Sequence, residues 1–228
     1  MTPYYQSADA VIYHGDCQDV FASVDLPEIR TIISDPPYFG MAYAQAILTG
    51  LKPFNEDEES VWLAHLEQFY LDWLPRCRQL VEYATGRAWF FTSPHHFPAF
   101  SRMGLVCGWP ARRVWYASES EVLMQFGRPV PEVMQFAVSR RFYESGHEPH
   151  LDDAVLDALM AASGSGCVLD PFMGSGGTLL AARRAGQPAI GIETDEALCE
   201  AAAQALVEQQ AFLDTAPSVG GVQFEAKA

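Results

Sequence analysis

Residues 167–178 read Cys167-Val168-Leu169-Asp170-Pro171-Phe172-Met173-Gly174-Ser175-Gly176-Gly177-Thr178, and Ala189-Ile190-Gly191-Ile192-Glu193 follows shortly after. The apolar run Cys167–Asp170 has the character of a buried strand and stops at a proline, which cannot donate a ladder hydrogen bond. From Thr178 to Ala185 the apolar residues recur at helical spacing, and Ala189–Glu193 is again a strand. Strand, glycine-rich turn, helix and strand together predict a βαβ unit and a parallel sheet. Glycines at such a turn let the backbone approach a ligand closely. An acid at the tip of the next strand, here Glu193, suits the two hydroxyls of a ribose. The unit predicts a nucleotide-type ligand, and by itself leaves its class open between a dinucleotide and S-adenosylmethionine.

Working outward, the amino-terminal part holds a second stretch with chemistry in it. Thr31-Ile32-Ile33-Ser34 reads as a strand that runs into Asp35-Pro36-Pro37-Tyr38. An amino group on an aromatic ring is a poor nucleophile because its lone pair is delocalised into the ring. A carboxylate and a carbonyl that both accept its N–H bonds favour the tetrahedral nitrogen and free that pair. Asp35 offers the carboxylate. Pro36 offers the carbonyl, whose direction the rigid Pro36-Pro37 backbone holds. Tyr38 offers a flat face on which an extruded base can stack, worth roughly 1–3 kcal/mol. A sulfonium methyl donor asks for neither a metal nor a covalent enzyme intermediate, so the two stretches together favour S-adenosylmethionine over a dinucleotide.

Between these stretches the sequence predicts a strand at Val11–Tyr13, a loop over 39–55, and a helix opened by the acidic run Glu56–Glu59. That helix is expected to kink or break at Pro75 and to continue over Cys77–Tyr83. Strands are expected at Ala88–Thr92, Arg112–Ala117 and Val133–Val138, with a loop around Gly127, Pro129 and Pro131 between the last two. Helices are expected at about 151–162 and 196–212, and the tail offers a strand at Val222–Phe224. His95 and His96 lack further ligands at metal spacing.

The chain of 228 residues carries a net charge of −15, which argues against sequence-blind adhesion to nucleic acid. Residues 86–141, however, hold 7 Arg against 3 Glu. Arg112, Arg113, Arg128, Arg140 and Arg141 are the candidate contacts to an anionic partner from this segment, since guanidinium forks suit phosphates and base edges. The five cysteines are scattered and unpaired in spacing, and no basic-then-apolar leader or membrane-length run is visible. A reducing, cytoplasmic setting and no membrane contact are therefore expected.

The two stretches together resemble those of the DNA amino-methyltransferases that modify adenine N6 or cytosine N4. With Asp35–Tyr38 first and Asp170–Thr178 last, their order resembles the permuted β class. The resemblance implies a single α/β domain over residues 1–228. Its fold would be the Rossmann-like S-adenosylmethionine-dependent methyltransferase fold, a mostly parallel sheet with helices on both faces. It also implies that Asp16 and Cys17, in His14-Gly15-Asp16-Cys17, meet the donor's adenine. Asp35, Asp170, Phe172, Gly174, Ser175, Gly176 and Thr178 would surround the donor, Glu193 would bind its ribose, and Asp35 would also act at the reacting amine. Adenine N6 is expected over cytosine N4, because the cytosine enzymes more often carry Ser where this chain has Asp35. The unpermuted order usual in the corresponding RNA enzymes disfavours an RNA target.

Where the family often has His-Pro-Thr-x-Lys-Pro, this chain reads His147-Glu148-Pro149-His150-Leu151-Asp152. The lysine is lost, which leaves the holding of the donor's methionine end unassigned. DNA contact is expected within about residues 95–146, a stretch so short that pairing of two copies is a natural way to complete the cleft. A bacterial, phage or mobile-element modification system is the expected setting. Two rivals stand beside this reading. One is a catalytically silent, DNA-binding or DNA-mimicking relative, motivated by the acidic charge. The other is a nicotinamide-dependent reductase, which leaves Asp35–Tyr38 without a role.

Overall fold

A computed structural model describes residues 1–37, 56–81, 86–94, 96–116, 122–129 and 153–215, with the side chains of 56–62 and Tyr116 left out. Its strands are β1 (Tyr5–Gln6), β2 (Ala10–His14), β3 (Ile29–Ser34), β4 (Arg87–Thr92), β5 (Arg113–Tyr116), β6 (Val122–Gly127), β7 (Cys167–Asp170) and β8 (Ala189–Glu193). Its helices are α1 (Cys17–Ser23), α2 (Glu56–Leu80), α3 (Phe97–Val106), α4 (Asp153–Ser163), α5 (Gly177–Arg184) and α6 (Glu196–Thr215). All the described strands join one sheet in the order β1-β2-β8-β7-β3-β4-β6-β5. The run from β2 to β4 is parallel, with antiparallel β1 at one edge and antiparallel β6 beside β4 at the other.

The strands are apolar on both faces because helices cover both. Ile12, Ile33, Trp89, Phe91 and Leu123 point to the side packed by α4, α5 and α6. Tyr13, Ile32, Phe90, Met124 and Ile192 point to the side packed by α1, α2 and α3. The second layer is rich in rings: Tyr70 stacks on Phe100 with centroids 4.4 Å apart, and Trp73 meets Phe90 edge-on at 5.5 Å.

Two expectations are corrected here. The helix from Glu56 is one element of 25 residues that passes through Pro75 without a break. The amide hydrogen bond that Pro75 cannot make is offset by burial of Trp73, Leu74 and Cys77 around it. The stretch 122–127, read as part of a connection, is strand β6. It pairs with β4 along its whole length, from Arg87 opposite Gly127 to Thr92 opposite Val122. The expected strands at Val133–Val138 and Val222–Phe224, the loop 39–55, His95, and the stretch His147–Asp152 lie outside the described residues.

The amino-terminal strands are tied to the βαβ unit by a buried arginine. Arg183 donates from Nε and Nη2 to the two carboxylate oxygens of Asp9 at 2.7 and 2.6 Å, and from Nη1 to the Leu206 carbonyl. The guanidinium is only 3% exposed while Asp9 keeps 35%, so part of the pair's strength is lost to solvent screening. Replacing Arg183 with Ala leaves Asp9 and the Leu206 carbonyl without this donor. The expected loss is about 2–4 kcal/mol in urea unfolding, with an unchanged m-value.

Candidate active site

Strands β7 and β3 are neighbours, but their chains leave in opposite directions. From β7 the chain crosses through α5 to β8 on one face of the sheet; from β3 it reaches β4 by way of α2 on the other. Where the strand order reverses, a crevice opens at the carboxyl ends of the strands. At its floor the Ser34 hydroxyl, ending β3, donates to the Asp170 carboxylate, ending β7, at 2.5 Å. The Phe172 backbone N–H donates to the same oxygen at 3.1 Å. Burial pushes the Asp170 carboxyl up to about 6, the hydrogen bonds oppose the rise, and the nearby charge of Asp35 adds to it.

Four strand ends line the pocket above this floor: Gly15, Asp16 and Cys17 after β2, Asp35 and Pro37 after β3, Pro171, Phe172 and Gly174 after β7, and Ile192, Glu193 and Thr194 at β8. Asp16 is held by its role as the N-cap of α1, accepting from Gln18 N–H at 2.8 Å. Cys17 is buried, and desolvation with the adjacent Asp16 charge pushes its thiol up to about 12, so it is a neutral, soft wall. Phe172 is braced by Trp73 and Phe69 of α2, at centroid distances of 5.0 and 5.9 Å. Gly174 has φ +53, and a Cβ there would meet nothing within 4 Å. The turn is thus both left-handed and open toward the pocket.

Glu193 organises the rim. Its Oε2 accepts from Gly174 N–H at 3.0 Å, and its Oε1 accepts from the N–H groups of Thr194 and Asp195 at 2.8 and 2.9 Å. One carboxylate therefore holds the glycine turn against the start of α6.

Of the residues expected from the sequence, Asp16, Cys17, Asp35, Pro37, Phe172, Gly174 and Glu193 line this pocket. Asp170 and Thr178 are buried, Pro36 is also buried beside the pocket, and Ser175 is exposed at the turn. Gly176, at φ +88, packs so closely on α6 that a Cβ would lie 2.8 Å from that of Ala202. Tyr38, Arg140 and Arg141 lie outside the described residues. Arg112, Arg113 and Arg128 are not brought to the crevice. β4 runs parallel to β3, and Gly127 lies opposite Arg87 at the amino end of β4. Arg128 and Arg112 therefore sit at the other edge of the sheet, and Arg113 opens the outer strand β5. Sequence reasoning missed Gly15, Pro171, Ile192 and Thr194 in the lining and Ser34 beneath it. Ser34 carried a signal, since it is a polar residue inside an otherwise apolar strand end.

The charge of the pocket decides its ligand class. Among the described residues its lining holds three carboxylates, Asp16, Asp35 and Glu193, and no basic side chain. Two of the turn's amides are also already engaged: Gly174 N–H by Glu193, and Gly176 N–H by the Met173 carbonyl at 2.9 Å. A phosphate-binding turn needs such amides free. The pocket suits a cationic ligand with hydroxyl and amino groups and disfavours a pyrophosphate, and with it a nicotinamide dinucleotide.

Comparison with known proteins points the same way. The family model for N6/N4 DNA methylases, described as DNA methylase, matches residues 156–204. The type II methyltransferase M2.LlaDCHI of Lactococcus lactis subsp. cremoris is 22% identical over 238 residues, covering 85% of this chain and 88% of that protein. Among solved structures, TTHA0409 of Thermus thermophilus, complexed with S-adenosyl-L-methionine, superposes with a TM-score of 0.63 at 19% identity. The match covers 89% of this chain and 96% of that one. The M1.HpyAVI–SAM complex gives 0.61 at 19% identity over 86% of this chain and 99% of that one. The cytosine-N4-specific PvuII DNA methyltransferase gives 0.66 at 13% identity over 88% and 87%. The fold is that of the S-adenosylmethionine-dependent DNA methyltransferases, as the two motifs lead one to expect.

The Asp170 carboxyl, raised in the folded state, favours folding when protonated. Its contribution is complete below about pH 4, the ordinary carboxylate value, and is lost as pH rises through about 6. Urea unfolding from pH 4 to 6.5 is expected to show a shallower decline in stability for Asp170→Asn than for the unaltered protein. In calorimetry, Glu193→Ala is expected to weaken S-adenosylmethionine binding by about 1.5–3 kcal/mol, the worth of charge-assisted hydrogen bonds.

Proposed function

We propose that this relative of the N6/N4 DNA methylases transfers the methyl group of S-adenosylmethionine to the exocyclic amino nitrogen of a DNA base, adenine N6 before cytosine N4. The observation that carries the reading is the position of Asp35 in the same pocket as Gly174 and Glu193. When bound, S-adenosylmethionine supplies an electrophilic methyl carbon on a sulfonium centre. Glu193 and Asp16 would hold its hydroxyl and amino groups, with Phe172, Cys17 and Ile192 as the apolar wall.

The chain's own part is to make a dull nucleophile react. Asp35 accepts one N–H of the target amine, and the Pro36 carbonyl accepts the other. The nitrogen lone pair then leaves conjugation with the ring and points at the methyl carbon. As the new N–C bond forms, the bond from the methyl carbon to the sulfonium sulfur breaks and leaves a neutral thioether; the nitrogen gains positive charge, which the Asp35 carboxylate stabilises before it takes up the surplus proton. The base has to leave the stack to reach this crevice, at a cost of a few kcal/mol, and stacking on Tyr38 offsets part of that cost. Arg140 and Arg141 contact the DNA backbone in this reading, and a second copy completes the surface that faces the duplex. Light scattering of the active enzyme is then expected to show a dimer; full activity from a monomeric species overturns that part.

The preference for adenine rests on Asp35 at the head of its motif. The similarity to PvuII favours the second reading, cytosine N4. Nucleoside mass spectrometry of DNA incubated with the protein and S-adenosylmethionine separates them, and N6-methyladenine is the expected product. Labelled-methyl transfer is expected to vanish in Asp35→Ala while calorimetric affinity for S-adenosylmethionine stays within about threefold, less than 1 kcal/mol. Transfer at the unaltered rate overturns the mechanism.

A further inference from the structure

At the edge of the sheet opposite the crevice, the ends of α2, α3 and β6 meet the start of β5 around a second cavity of about 450 Å³. This lies within the range of small-ligand sites, about 300–1,000 Å³. Its lining is opposite in charge to that of the active site. Arg78, Arg112 and Arg128 converge on it, and among the described residues no carboxylate lines it. None of these three arginines forms an ion pair with a described acid, in a chain where Asp and Glu outnumber Lys and Arg by 29 to 14.

The backbone that carries them is fixed. Arg112 N–H donates to the Gln125 carbonyl at 2.7 Å, and Arg128 N–H donates to the Gly86 carbonyl at 3.0 Å. The buried amide of Gln125 donates to the Arg128 carbonyl at 2.9 Å. Among the described residues Arg78 is steered by one bond, from Nη1 to the Cys107 carbonyl at 2.7 Å, and it presents its other N–H groups to the cavity. Bare backbone gives room: Gly108 has φ +66, and a Cβ there would come 3.3 Å from the Arg78 guanidinium. Positive charges crowd this edge: burial, and then the charges of Arg128 and Arg30, hold the nearby Arg87 guanidinium below its ordinary value. An anion relieves this crowding.

We propose that this cavity is a phosphate-binding site separate from the catalytic crevice, with Arg112 and Arg128 as its forked donors and Arg78 as its anchored third. Planar guanidinium pairs match the oxygen spacing of a phosphate group. The site lies about six residues of strand from the Asp35 edge, roughly 20 Å at the rise of a β-strand. A base held at Asp35 cannot have its own phosphate here, so the phosphate comes either from a more distant segment of a nucleic-acid strand or from a free phosphate compound.

Pyrophosphate is the probe, titrated calorimetrically into the full chain at low ionic strength. Saturable binding is expected, weakened at least tenfold in the Arg112→Gln/Arg128→Gln double variant. S-adenosylmethionine affinity, unchanged in that variant, reports that it is folded; the Arg128→Glu single variant gives the same readout with one substitution. A short oligodeoxynucleotide that displaces pyrophosphate identifies a strand as the source of the phosphate. An oligodeoxynucleotide that leaves pyrophosphate bound identifies a free phosphate compound. Absence of pyrophosphate binding, or equal binding by the unaltered protein and the double variant, overturns the proposal.

Discussion

The hydrogen bond from Ser34 to Asp170 is the join on which the site depends. It links the carboxyl ends of two strands that lie 136 positions apart in sequence and next to each other in the sheet. One strand delivers the glycine turn, the other delivers Asp35, and the reversal of strand order leaves a crevice between them. The bond is deeply buried, with Ser34 at 0% and Asp170 at 2% exposure. Loss of either partner therefore strands a polar group where water cannot reach it. Phe172 extends the join upward, because its ring is clamped by Trp73 and Phe69 while its N–H bonds to Asp170.

Charge is sorted along the strands. The carboxyl edge gathers Asp16, Asp35 and Glu193 around the pocket, and the opposite edge gathers Arg78, Arg112 and Arg128. The acidic edge suits a sulfonium donor and is a poor seat for phosphates. Among the described residues this rim therefore offers no positively charged contact to a phosphate, in a chain whose net charge is −15. The separation of the two edges also explains how one acidic chain holds a cation at one end and presents a positive cavity at the other.

Much of this was legible in the sequence where local chemistry and tertiary role coincide. The strands Cys167–Asp170 and Ala189–Glu193 fall where the sequence places them, because a proline ends one and an acid tip ends the other. Strand β6 was not legible. Val122–Gly127 is buried along both faces, so it lacks the alternation that marks a half-exposed strand, and Gln125 interrupts its apolar run. Helix α1 is 7 residues long, too short for a periodic signal. The arginines show the deepest limit. Their clustering in sequence is plain, but β5 and β6 run antiparallel to each other, and this return carries Arg112 and Arg128 to the edge away from the crevice. Only pairing, which is non-local, decides that.

The central claim is that the methyl donor and the Asp35 carboxylate share one crevice between β3 and β7. A crystal structure of the protein with S-adenosylmethionine tests it most directly. The account predicts donor density between Gly174 and Glu193, with the sulfonium methyl directed toward Asp35. Density for the donor elsewhere on the molecule, or in the crevice with its methyl group turned away from Asp35, would contradict it.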